Sequence, residues 1–288
     1  MSKVAVRAIK LFSGLAGTGI RGKLTAKFFS GLLKMIHPRA KVIDDNLTIA
    51  YPASNPEWRK DIRRKVYENL AWTLTEALTL NKDPSKAQSW VKNVRGYEIF
   101  SGLMESGQGA IFLVGHFGNW ELLGSWAAQQ ELQHGRKLHV IYQELHDKDI
   151  SQYIHDMREK CGMFMTAKDI SVLKLVHMLK AGEHVAVLND VAGTGKVIAP
   201  FMGHDATNMP GTAVMALLSG VPVIPACIYR KAPFEHEAEF FPPVEMPPEN
   251  LNREERIRLA VLECNRAYEK IIRKRPELWF WLHKRWRP

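Results

Sequence analysis

A histidine and a glutamate five residues apart, His116 and Glu121, stand in the segment Gly115-His116-Phe117-Gly118-Asn119-Trp120-Glu121. Imidazole exchanges a proton near neutral pH, and a carboxylate that holds one ring nitrogen leaves the other able to accept one. On one continuous helix such residues lie about 140° apart, from roughly 100° per residue, and would not meet. On a turn they can. The apolar run Ala110 to Val114 predicts a strand feeding such a turn, and Asn119 suits the N-cap of the helix that follows. Glu121 then falls in the first helical turn, where it is expected to orient His116 for general base catalysis. The ordinary alternative is a satisfied, partly buried histidine. The flanking glycines and the position at the carboxyl end of a strand, where α/β proteins bind ligands, favour a functional role. A metal site is not expected, because HxxxxE lacks the i, i+4 histidine pair of a helical zinc motif and no third ligand is evident.

The elements that must position this pair are legible as a change of pattern at Gly109. From there, short apolar runs alternate with helical stretches, which predicts an α/β domain built on one sheet. The expected strands are 110–114, 138–143, 185–188, 197–201, 221–229 and 238–241, and the expected helices are 119–130, 150–161, 170–181, 211–219 and 253–273. Residues 2–36 are expected to be helical, interrupted near Gly14 to Gly22 and stopped around Pro38, with one or two further helices over 57–80. The chain is thus expected to divide into an amino-terminal helical, membrane-associating region, 1–100, and an α/β domain, 101–288.

Composition narrows the surroundings. Forty Lys plus Arg against thirty Asp plus Glu leave a formal charge of +10, which favours an anionic partner. No helix-turn-helix, zinc-finger or RNA-binding signature makes that partner nucleic acid. No run approaches the roughly 18 to 20 apolar residues of a spanning helix, and the start lacks a signal-peptide pattern, so membrane contact is expected to be peripheral or monotopic. On a helical projection Lys23, Lys27 and Lys34 share one side, with Leu24, Phe28, Phe29, Leu32, Leu33, Met35 and Ile36 on the other. Such a helix suits an anionic bilayer surface, or else packs its apolar face on the domain. Cys161, Cys227 and Cys264 are odd in number and widely spaced, which suits a reducing, cytoplasm-facing setting.

The segment around His116 resembles the HX4E motif of the bacterial lipid A biosynthesis acyltransferases, a branch of the wider glycerolipid acyltransferase superfamily. Two further blocks carry the resemblance: Asp45-Asn46-Leu47-Thr48-Ile49-Ala50-Tyr51-Pro52, followed by Glu68-Asn69-Leu70, and the terminal Pro276-Glu277-Leu278-Trp279-Phe280-Trp281-Leu282-His283-Lys284-Arg285-Trp286. The resemblance implies transfer of an acyl group from an acyl carrier protein or coenzyme A thioester to a hydroxyl of a membrane lipid, in first place a lipid A precursor. No cofactor is implied, since the thioester is a co-substrate. The implied place is the cytoplasmic face of the bacterial inner membrane.

The resemblance also implies roles for an arginine on a following helix and an acid after a later strand, which Arg158 and Asp190 match by position. Arg158 is expected to meet a phosphate or an oxyanion and Asp190 the acceptor. Asn119 is a further candidate for substrate contact, and Gly211 and Thr212, in a Pro-x-Gly-Thr block, are expected to present backbone N–H groups to phosphate. In the terminal block Trp279, Leu282, His283 and Trp286 fall at i, i+3, i+4, i+7, which predicts a helix whose tryptophans pack in the core while its cations meet lipid, or else lie at a bilayer interface with them. A phosphoinositide mannoside or an aminolipid is an alternative acceptor. Further alternatives are a thioesterase or esterase, for which no G-x-S-x-G elbow is present, and a membrane-binding protein without catalysis.

Overall fold

The computed structural model describes residues 13–14, 16–144, 146–192 and 197–286, so most of the stretch 2–15 expected to be helical lies outside the described residues. Helices α1 (Gly19–Ile36), α2 (Ala40–Ala50), α3 (Pro56–Lys82) and α4 (Lys86–Trp90) come first. The sheet region follows in the order β1 (Val91–Arg95), α5 (Tyr97–Ser106), β2 (Ala110–Val114), α6 (Trp120–Gln133), β3 (Leu138–Tyr142), α7 (Lys148–Lys160), β4 (Phe164–Ala167), α8 (Val172–Lys180) and β5 (His184–Leu188). After these come β6 (Val197–Phe201), β7 (His204–Asn208), α9 (Gly211–Ser219), β8 (Val223–Ala232), β9 (Glu235–Phe240), α10 (Arg253–Lys274) and a 3-10 turn, Pro276–Leu278.

Seven strands form one sheet in the order β1-β9-β8-β2-β5-β3-β4, parallel at every pairing except β8 with β9. A sheet of mostly parallel strands is covered on both faces, so its central strands must be apolar throughout. β2 shows the consequence. Ile111 and Leu113 enter one core, with residues of α2, α3, α9 and α10, while Ala110, Phe112 and Val114 enter the other, with residues of α5 and α6. The α/β expectation holds, and the helix read as one or two over 57–80 is the single α3.

Several expectations are corrected. Among the described residues β6 pairs only with β7, in a separate antiparallel hairpin whose strands are joined by a short turn. The terminal block is not helical after Leu278. Trp279 and Trp281 are buried there, and Trp279 forms an isolated antiparallel bridge with Phe117, so this block runs beside the turn that follows β2. The tryptophans do pack in the core. β1, before residue 100, is an edge strand of the sheet, and α2 and α3 supply Ile43, Leu47, Ile62 and Tyr67 to the main core.

The α1 projection is also revised. Gly22, Thr25, Ala26 and Phe29 face inward, and Lys34 pairs with Glu68 of α3. Ile20, Leu24, Phe28, Met35 and Ile36 are exposed beside the exposed Lys23 and Lys27. No helix among the described residues is long and apolar enough to cross a membrane.

The turn after β2 is clamped. Gly118 has φ +62°, and a Cβ added there would lie 1.9 Å from the Ile228 carbonyl oxygen of β8. Both the left-handed backbone and this approach demand glycine. At Gly124 in α6, by contrast, an added Cβ meets Met163 Sδ at 2.8 Å, the flexible part of a side chain. Gly118→Ala is therefore expected to destabilise by more than about 1 kcal/mol, seen as a lower thermal midpoint, and Gly124→Ala to cost less. A Gly118→Ala midpoint equal to that of the parent would contradict the clamp.

Candidate active site

Register brings the chemistry together. β2 and β5 are parallel neighbours with Val114 opposite Leu188. His116 and Asp190 each lie two residues beyond those partners, so their side chains leave the sheet side by side, although 74 residues separate them in the chain.

Asp190 is fully buried and meets three N–H donors. Its Oδ1 lies 2.8 Å from His116 Nδ1, and its Oδ2 accepts the His116 backbone N–H at 2.7 Å and the Trp279 indole N–H at 2.7 Å. Burial raises the Asp190 carboxyl, but the His116 charge and these donors outweigh it and hold the group below the usual carboxylate range. An ionised carboxylate only accepts, so His116 Nδ1 carries the proton and Nε2 keeps the basic lone pair. For His116 itself, burial lowers the pKa, but the Asp190 charge and hydrogen bond outweigh burial and hold it above the ordinary histidine value.

The expected hydrogen bond from His116 to Glu121 is thus replaced by one to Asp190. Glu121 does lie in the first turn of α6, but Arg158 of α7 claims it, through Nε at 3.0 Å to Oε2 and Nη2 at 2.6 Å to Oε1. The Trp120 indole N–H adds a bond to Oε1 at 2.9 Å. A guanidinium fork fits a carboxylate through two parallel bonds, and this geometry outcompetes a single imidazole contact. Burial raises the Glu121 carboxyl, and Arg158 more than reverses that, keeping it below the usual range.

Two cavities meet at this pair. One is a narrow slot between α6 and the sheet, lined by Phe112, Leu123, Ala127, Leu138, Met163 and Ala186, with Glu121 at its polar end. The other is a cleft of about 540 Å³ reached by His116, Tyr142, His155, Lys168, Asn189 and Phe280. Arg158 and Leu188 line both. The arrangement can place an apolar chain in the slot and a polar group in the cleft, with a base in the cleft wall.

The remaining sequence candidates are placed otherwise. Asn119 is fully buried; its side-chain oxygen accepts the Leu122 N–H at 3.0 Å as the expected N-cap, and its amide donates to Glu76 at 2.7 Å. It does not line the cleft, so the substrate contact expected of it is not formed there. Thr212 is buried, its hydroxyl 3.5 Å from the Asn189 amide, and neither it nor Gly211 lines the cleft. At that start of α9 the Asn189 amide donates to the Met209 carbonyl at 2.9 Å as well as to the Thr212 hydroxyl. Asp190, expected to meet the acceptor, holds the histidine instead. Trp279, Trp120 and Phe280 were not singled out as site residues. Trp120 and Phe280 stand with their ring centroids 5.2 Å and 6.0 Å from that of His116. The only signal for them was their place inside the two motif blocks.

Over residues 17–288 the sequence matches the family described as bacterial lipid A biosynthesis acyltransferase. Among characterised proteins it is similar to the lipid A biosynthesis lauroyltransferase of Escherichia coli strain K12, with 24% identity over 261 residues, covering 88% of this chain and 81% of the relative. The lipid A biosynthesis palmitoleoyltransferase of the same organism is 23% identical over 255 residues, covering 86% and 79%. A lipid A biosynthesis acyltransferase of Shigella flexneri gives the same values. The chain belongs to the bacterial lipid A biosynthesis acyltransferase family and is an acyltransferase.

Proposed function

We propose that this enzyme moves a fatty acyl group from an acyl carrier protein or coenzyme A thioester to a hydroxyl of a lipid A precursor, with His116 as general base. The observation that carries this reading is the His116–Asp190 contact at 2.8 Å, which leaves the basic Nε2 free on a histidine lining the polar cleft, whose wall it shares with the Arg158 that also lines the apolar slot. The acyl chain lies in the slot, where Met163 can shift because an unbranched thioether has several rotatable bonds. The acceptor lies in the cleft.

In the reaction the acceptor oxygen attacks the thioester carbonyl carbon as its proton passes to His116 Nε2. The C–S bond then breaks, and the leaving thiolate takes that proton back, giving an ester and a free thiol. Asp190 fixes the tautomer and favours the imidazolium while it exists. Arg158 spends two N–H bonds on Glu121, and a guanidinium has five, so it can also meet the developing oxyanion or a phosphate. Glu121 keeps Arg158 and Trp120 in place and lines the end of the slot. The exposed Ile20, Leu24 and Phe28, flanked by Lys23 and Lys27, support a peripheral seat on the cytoplasmic face of the inner membrane.

Purified enzyme given an acyl thioester and a lipid A precursor is expected to raise the precursor mass by one acyl group, read by mass spectrometry. His116→Ala should cut that rate by about a hundredfold to about ten-thousandfold without loss of fold. A folded variant with near-normal turnover would sink the mechanism.

The pH profile carries a sign. His116 must be neutral to act, so activity falls as pH drops through its pKa, which Asp190 holds above the ordinary value. In Asp190→Asn the raising charge is gone while burial still lowers the pKa. The acidic limb of kcat/KM should therefore move to lower pH, on a reduced plateau. A limb that stays in place or moves upward contradicts the pairing.

Membrane contact is tested by Lys23→Glu with Lys27→Glu. Each cation near an anionic bilayer contributes on the order of 1 kcal/mol, so binding to anionic vesicles should weaken strongly and binding to neutral vesicles much less. Unchanged binding in co-sedimentation would move the membrane contact elsewhere.

A further inference from the structure

Helix α3 turns a polar stripe toward the site turn. Asn69, Thr73 and Glu76 stand at i, i+4 and i+7, one face of a helix. The Thr73 hydroxyl donates to the Gly118 carbonyl at 3.0 Å, and the Asn69 amide reaches the carbonyls of Gly118 and Leu278 at 3.4 Å each. Glu76 is fully buried and accepts the Asn119 amide at 2.7 Å. Arg230 of β8 balances its charge, His236 of β9, which burial holds below the ordinary histidine value, adds a hydrogen bond at 3.1 Å, and Arg230 also reaches Thr73 at 3.2 Å and Asn69 at 3.4 Å. A buried carboxylate is costly unless paired in this way. Burial raises the Glu76 carboxyl, but Arg230 and His236 bring it down to about 2.

None of these three residues lines the slot or the cleft. Besides Leu278 and the β8–β9 hairpin with Arg230 and His236, what they hold lies between His116 and Glu121. Gly118 is gripped by its carbonyl, and Asn119, gripped by its amide, caps the helix turn that carries Trp120 and Glu121. We infer that Asn69, Thr73 and Glu76 are positioning residues that set Trp120 and Glu121, and with them Arg158, at their working distance from His116. This inference rests on the catalytic reading of His116 proposed above. A network that only stabilised the fold would change the amount of folded enzyme and leave the rate of each folded molecule alone. A positioning network does the reverse, because a displacement of about 1 Å at a reacting centre can cost about a hundredfold in rate.

Thr73→Val removes the hydroxyl with little change of shape and no change of charge. The expected result, per folded molecule, is a kcat lowered by about tenfold to about a hundredfold, KM values within about twofold, and recovery in Thr73→Ser. Should Thr73→Val fold poorly, Asn119→Ser serves, since serine keeps an N-cap oxygen and drops the amide bond to Glu76. Either variant is then combined with Glu121→Ala. If the stripe acts through Glu121, the second substitution adds little to the loss already present, whereas independent effects multiply. An unchanged kcat in the folded variant, or a multiplicative loss in the double variant, overturns the inference. Failure of the underlying reading shows separately, as turnover retained by His116→Ala.

Discussion

The site depends on a carboxylate with no access to water. A buried, ionised aspartate must be paired and hydrogen-bonded, or it costs several kcal/mol and neutralises. Asp190 meets that demand with three N–H groups from two places, His116 and Trp279. His116 follows β2, Asp190 follows β5 and Trp279 belongs to the terminal block, so the one charge ties these three segments together. The same bonds choose the histidine tautomer. Folding and catalysis therefore draw on one interaction.

A second carboxylate nearby needs a different solution. Were Glu121 to hold His116 in place of Arg158, two anions would share one imidazole and the half-buried Arg158 would be left without a counter-charge. The structure separates the pairs, His116 with Asp190 and Arg158 with Glu121, and each partner helps keep its own carboxylate ionised. The separation also places Arg158 across both cavities, where a guanidinium can serve substrate as well as Glu121. Trp120 spans the two pairs, its indole N–H on Glu121 and its ring against His116.

What was legible in the sequence follows from the range of the forces concerned. The apolar run of β2, the glycine turn and the Asn119 cap are local, and each appears as expected, as do the central strands and α3. β1 and β4 lie at the sheet edges, where half-exposed strands of four or five residues carry no clear alternation, and α2 lay hidden inside a motif block. The terminal block misled for the opposite reason. Its tryptophans do recur at helical spacing, but the segment runs against the site turn and its backbone bonds go to His116 and Gly118 instead of to a helix. Asp190 could be matched by position through the family resemblance, yet its partner could not, because the register that joins it to His116 is a property of two strands. Glu76 is the extreme case. A glutamate in a helix reads as solvent-exposed, and partners distant in sequence, Asn119, Arg230 and His236, make its burial tolerable.

The account stands on which nitrogen of His116 carries the proton and what holds it there. Nitrogen-15 NMR of the histidine ring, with His116 assigned through a His116→Gln variant, reads both the tautomer and the titration directly. The account predicts that neutral His116 is protonated on Nδ1, that its pKa lies above the ordinary histidine value, and that both features are lost in Asp190→Asn but kept in Glu121→Gln. A proton on Nε2, or features lost with Glu121 and kept without Asp190, would contradict it.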